Sequence, residues 1–119
     1  MSERGIKLYL EDILEALKKI EEFTRGMSPE SFKQDVKTID AVVRNIEVIG
    51  EAVRKIPNEL RIKYPTVPWK QIVGARDKVI HEYFGVDLDI IWKTVVEDVP
   101  PFKQQIETLL KEFIDQSAS

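Results

Sequence analysis

The sequence predicts an all-α fold, a bundle of four to five helices in one domain spanning residues 1–119. Three observations predict it. Apolar residues recur at three- and four-residue spacing along most of the chain, the signature of one-sided helices. No stretch alternates apolar and polar residues as a half-buried strand would. The breaks in the periodic segments fall at glycine and proline, where helices stop. A chain of 119 residues has the length of a single domain, long enough to bury well over half of its unfolded surface.

The first helix is predicted over about residues 6–25. Leu10, Ile13, Leu14, Leu17 and Ile20 form its apolar face, and acids and lysines fill the rest in an order that suits i,i+4 pairing. Gly26 is its stop. Ser28 is placed to cap a new helical start with Pro29 at its first position. A short turn through Phe32 then leads into a long helix over about residues 35–56. Its stripe is Val36, Ile39, Val42, Val43, Ile46, Ile49, Val53 and Ile56. Gly50 inside that stripe implies either close approach of another group or simple tolerance. Arg44, Glu47, Glu51 and Arg54 line one polar side, where Arg44 and Glu51 are candidates to face a site.

Pro57 ends the long helix. The segment to Pro68 holds three prolines and reads as a connection with one short helical turn, pinned to the core by Tyr64, Val67 and Trp69. The next helix starts near Pro68 with Thr66 as the N-cap candidate, carries Ile72, Val73, Val79 and Ile80, and ends at Gly85. Asp87 caps a helix with Leu88, Ile91, Trp92, Val95 and Val96. Pro100-Pro101 either breaks the chain there or bends it into a last helix with Phe102, Ile106, Leu109, Leu110, Phe113 and Ile114.

Composition excludes several chemistries. The chain has no cysteine and one histidine, so a disulfide framework, a thiolate zinc site and a cysteine nucleophile are ruled out, and no metal or other cofactor is expected. No apolar run approaches the ~20 residues of a membrane span. Charged sequence follows Met1 without an apolar leader, so the expected location is the cytoplasm. The net charge is −3, which argues against bulk coating of nucleic acid. The charge is unevenly spread, however. Residues 54–78 hold seven Lys/Arg and two acids, a local +5 between two acidic flanks. A phosphate-bearing ligand would be drawn there, with Arg44, Lys70 and Lys78 as candidate RNA or phosphate contacts.

That basic segment runs into Arg76-Asp77-Lys78-Val79-Ile80-His81-Glu82-Tyr83, which contains the lone histidine. On a helix Asp77 and His81 share a stripe, so Asp77 could accept a hydrogen bond from the imidazole. Arg76 lies about 140° from His81. Two copies of the helix facing each other would surround one groove with both residue types, so a catalytic reading favours a symmetric homodimer. The chemistry suits RNA cleavage. An imidazole titrating near about 6.5 can take a proton from a ribose 2′-hydroxyl or give one to the leaving 5′-oxygen. A guanidinium binds phosphate and stabilises charge developing on it. Tyr83 could hydrogen-bond a phosphate or carry a modification.

Arg76-x4-His81 also resembles the R-x4–6-H motif of the HEPN superfamily, with Asp77 as the polar residue after the arginine. Ile49-Gly50-Glu51-Ala52, Tyr64-Pro65, Pro68-Trp69, His81-x-Tyr83, Gly85-Val86-Asp87, Trp92 and Val99-Pro100 follow in the order seen in HepT-like toxins. The resemblance covers about residues 8–112. It implies a homodimeric, metal-independent endoribonuclease, the toxin of a type VII-like HEPN/MNT toxin–antitoxin pair. Arg76 and His81 would be catalytic, with Asp77 in support. An MNT-type nucleotidyltransferase antitoxin would transfer AMP to Tyr83 and block the cleft. The alternative is a non-catalytic helical module that binds a nucleotidyltransferase or a nucleotide, a reading to which Glu82 and the acidic total charge lend weight. A third is a plain structural bundle with a core histidine.

Overall fold

A computed structural model describes residues 3–82 and 87–118, and the side chains of residues 4–79 and 87–114. Every regular element among them is helical: α1 (Glu3–Thr24), α2 (Pro29–Gln34), α3 (Val36–Lys55), α4 (Asn58–Lys63), α5 (Trp69–Glu82), α6 (Leu88–Lys93) and α7 (Val99–Ala118). A π-helical turn, Thr94–Asp98, joins α6 to α7 without a break. The all-α class stands, with three of the helices only six residues long. No helix among the described residues is long and apolar enough to cross a membrane.

The helix boundaries follow from local chemistry. Gly26 ends α1 at φ 77°, a conformation that costs glycine little. Ser28 accepts from the Ser31 N–H, and Ser31 returns the bond to the Ser28 N–H, so both ends of a capping box are present. Asp35 caps α3 through the Thr38 N–H at 3.1 Å. The backbone and then the side chain of Thr38 hold the Asp35 carboxyl below the usual range. Asp87 caps α6 through Ile90. Thr66, expected to cap α5, does not. The helical bonding starts from the Pro68 carbonyl, which accepts from Ile72, and the Thr66 carbonyl accepts from the Gln105 side chain instead. Gly85, the expected stop of α5, lies outside the described residues.

Pro100 and Pro101 bend the chain rather than break it. Each lacks an N–H and crowds the carbonyl four residues back. Those carbonyls belong to Val96 and Glu97, inside the wider π turn, which makes the room. The buried residues accordingly step by four through it (Ile91, Val95, Val99) before resuming as Phe102, Ile106, Leu109 and Phe113.

The core is built on α1, which packs against α3 on one side and α7 on the other. Leu10, Ile13, Leu17 and Ile20 of α1 are sealed from solvent, with Val42 and Val53 of α3 and Ile106 of α7. Phe32 of α2 is equally buried and meets the Trp92 ring at 5.1 Å, which ties the α2 corner to α6. Lys33–Asp89 reinforces that corner, and Lys103–Glu21 links α7 to α1. Each carboxylate raises the pKa of its lysine by hydrogen bonding. Val36, counted from sequence in the α3 stripe, is 65 % exposed because α3 begins there, beyond the reach of α1. Val96 and Ile114 are also exposed.

Helix α5 packs chiefly on α3. Trp69 and Val79 are its buried anchors, and the Trp69 indole N–H donates to the Tyr64 carbonyl at 3.0 Å, the packing role expected of it. Between α5 and the π turn lies an apolar cleft of about 240 Å³, lined in part by Leu17, Ile49, Ile72, Ala75, Val99 and Phe102. Among the described residues, none of the sequence-predicted site residues borders it.

Candidate functional site

The site begins at the C-terminal end of α3. Pro57 has no N–H to give the Val53 carbonyl, which accepts from the Ile56 N–H at 3.1 Å instead and keeps capacity for a second donor. Arg61, one turn into α4, supplies the donors. Its Nη2 donates to the Val53 carbonyl at 2.7 Å and its Nε to the Ile56 carbonyl at 3.1 Å. Arg61→Ala is therefore expected to lower stability by about 2 kcal/mol, the worth of charge-assisted bonds at a helix end, read as a drop in melting temperature. An unchanged melt would mean that water replaces the guanidinium there without loss.

Helix α5 crosses this end of α3 at Gly50. A Cβ on Gly50 would stand 2.7 Å from Cβ and 2.9 Å from Cδ of Arg76, with Cγ closer still. The two sequence-level readings of Gly50 are thereby decided. It is the seat on which the aliphatic stem of Arg76 lies. The next residue of α3, Glu51, takes Arg76 Nη2 at 2.8 Å. Asp77, beside Arg76 on α5, takes its Nη1 at 2.9 Å. The Arg76 side chain is 21 % exposed, and its Nε is buried with no partner among the described residues.

Arg54, one turn beyond Gly50 on α3, completes the arrangement. Its Nη2 donates to both oxygens of Asp77, at 3.0 and 3.3 Å, and its Nη1 stands 3.9 Å from Glu51. Two guanidiniums and two carboxylates thus alternate across the α3–α5 contact. Formal charge cancels within the group, while Lys55 and Lys78, both exposed, keep the surroundings positive.

The geometry eases the difficulty posed by Arg76 and His81 lying five residues apart. Turning about 100° per residue, the α5 backbone sets positions 70, 74, 77 and 81 along one outward stripe, with Arg76 behind it. Nη1 of Arg76 nevertheless reaches the Asp77 carboxylate, on that stripe and one helical turn before position 81. The side chain of His81 and all of Tyr83 lie outside the described residues. Of the candidate phosphate contacts, Lys70 and Lys78 are exposed on α5. Arg44 is exposed on α3 in a shallow groove it shares with Tyr9, Asp12, Glu51 and Lys55.

Most of the chain is matched by known proteins. A family profile described as Ribonuclease HepT-like matches residues 13–109. The chain belongs to the HepT-like family. A Thermococcus cleftensis protein named "Probable ribonuclease HepT" is 51 % identical over 108 residues, covering 91 % of this chain and 98 % of its own. A Methanocaldococcus jannaschii protein named as a "Putative RNase" is 46 % identical over 112 residues, covering 94 % and 93 %. Another so named, from Caldanaerobacter subterraneus, is 46 % identical over 103 residues, covering 87 % and 92 %. No solved structure matches the chain significantly. In this HepT-like chain the pairing of Glu51 with Arg76 gives a physical reason for the Gly50-Glu51 pair quoted above. Arg54 drew no attention in the sequence beyond its place on a polar face. The available signal was its position one turn after Gly50, at the start of the basic segment.

Proposed function

We propose that this HepT-like protein is an endoribonuclease that needs no metal, and that Arg76 and His81 act on a scissile phosphate. The observation that carries this reading is the seating of Arg76. A glycine is cleared beneath its stem and a carboxylate holds each amino end. Such a held guanidinium is poised to stabilise charge on phosphorus without reorganising. His81 takes the proton of the ribose 2′-hydroxyl. The 2′-oxygen then forms its bond to phosphorus as the bond to the 5′-oxygen breaks, and the departing oxygen is protonated. The products are a 2′,3′-cyclic phosphate and a 5′-hydroxyl. Ribonuclease names on relatives at 46–51 % identity support the substrate class.

In the same reading the active unit is a homodimer, whose second α5 supplies a further Arg76 and His81 to one groove. Lys70, Lys78 and Arg44 contact the RNA backbone, and Asp77 supports the site. The protein is the cytoplasmic toxin of a pair with an MNT-type nucleotidyltransferase, and AMP placed on Tyr83 sets a bulky anion where substrate phosphate would sit. One observation favours the second reading, a non-catalytic binding module: both amino ends of Arg76 are already engaged by carboxylates.

Incubating the purified protein with RNA in the presence of EDTA separates the two. The expected result is fragments ending in 2′,3′-cyclic phosphate, reduced about 100-fold or more by Arg76→Ala. Intact RNA at every protein concentration would overturn the ribonuclease reading.

A further inference from the structure

We propose that Arg54 and Arg76 form a two-guanidinium phosphate clamp in which Asp77 is the resident, exchangeable anion, and that Arg54 receives a backbone phosphate of the substrate. The identity of the anion as RNA rests on the ribonuclease reading; the clamp itself does not.

The convergence of the two arginines is the first argument. Nη2 of Arg54 and Nη1 of Arg76 donate to the same oxygen, Oδ1 of Asp77, at 3.0 and 2.9 Å. Two guanidiniums aimed at one anionic oxygen are arranged as they would be around a phosphate oxyanion. They come from different helices, so the convergence is fixed by the α3–α5 packing at Gly50 and not by local sequence.

Accessibility decides which arginine an incoming anion meets. Arg76 is largely covered, its Nε is buried, and each Nη is already engaged. Arg54 is 46 % exposed. Its Nη1, at 3.9 Å from Glu51, is beyond hydrogen-bond reach. Arg54 therefore keeps donors for solvent that Arg76 does not. Asp77 is 41 % exposed, and an ion pair so open to water is weak. A phosphate able to accept a bidentate fork competes with it on favourable terms. The resident carboxylate also excludes weaker anions, so the clamp selects for ligands that bring several phosphates at once.

The test uses the full chain and a short 2′-O-methyl oligonucleotide, which binds without being cleaved, titrated at several salt concentrations. Arg54→Ala is expected to weaken binding about tenfold and to lower the salt slope by about 0.7, one phosphate contact on a single strand. Arg54→Lys keeps the slope but not the full affinity. Asp77→Asn tightens binding in the wild-type background and does so less in Arg54→Ala. Lys37→Ala, about 25 Å away at the other end of α3, changes neither quantity. Equal affinity and slope for Arg54→Ala and Lys37→Ala would overturn the clamp, as would Asp77→Asn leaving wild-type binding unchanged or weaker. Cleavage of unmodified RNA, assayed in parallel, keeps the two claims apart. Cleavage with no Arg54-dependent binding defeats the clamp alone; Arg54-dependent binding with no cleavage defeats the ribonuclease reading alone.

Discussion

Gly50→Ala is expected to lower the melting temperature and RNA cleavage together. In an exposed helix this substitution would stabilise, since alanine is favoured over glycine by about 1 kcal/mol. Here the new methyl would meet Cβ, Cγ and Cδ of Arg76. The Cβ is fixed to the α5 backbone, so a change of rotamer cannot relieve the contact and the two helices must part. Overpacking of this kind costs about 1–3 kcal/mol. Against the propensity gain, the net is a loss of about 1–2 kcal/mol, a fall of about 4 °C or more in melting temperature. Parting the helices also draws Arg76 away from Glu51, and a displacement of about 1 Å at a catalytic group costs about 100-fold in rate. Gly74 on α5 supplies the control. Nothing lies within 4 Å of where its Cβ would stand, so Gly74→Ala is expected to raise stability by about 0.5–1 kcal/mol. Thermal melts of the two variants should move in opposite directions. A stabilised, fully active Gly50→Ala protein would show that α5 does not need its close seat.

His81→Ala is expected to reduce RNA cleavage by about 10²–10⁴-fold, the worth of a positioned general acid or base, while leaving the melting temperature nearly unchanged. Helix α5 is anchored by Trp69 and Val79 and held to α3 through Arg76. The sign with pH is definite. A base must be neutral, so wild-type cleavage should rise as pH passes through the ordinary imidazole range near about 6.5. That limb should vanish from the residual activity of the variant. Free imidazole in the buffer should restore part of the rate to His81→Ala and none to Arg76→Ala. Undiminished cleavage by His81→Ala would remove the histidine from the mechanism.

Most of the architecture is legible in the sequence because its cues are local. Ser28 and Asp87 cap what they were expected to cap, and Gly26 stops α1. Thr66 misled because a proline-rich approach let Pro68 open α5. The candidate site was legible chiefly along α5, with Glu51 of α3 marked only as a residue that could face a site. Arg76 and Asp77 are neighbours in sequence, whereas their partners Glu51 and Arg54 are more than twenty residues away on α3. No spacing rule joins positions on two helices until their crossing point is known. Gly50 held that information, but a glycine in a helix marks close approach without saying what approaches. The same limit applies to Arg61, whose bonds to the end of α3 answer a deficit created by Pro57.

The π turn at Thr94–Asp98 constrains chain length more tightly than residue identity. Substitutions there leave the path of the backbone alone. Removing one residue would close the turn to an ordinary α-helical one, and the room that Pro100 and Pro101 use against the Val96 and Glu97 carbonyls would go with it. Insertions and deletions should therefore be scarce across this join, even where its side chains drift.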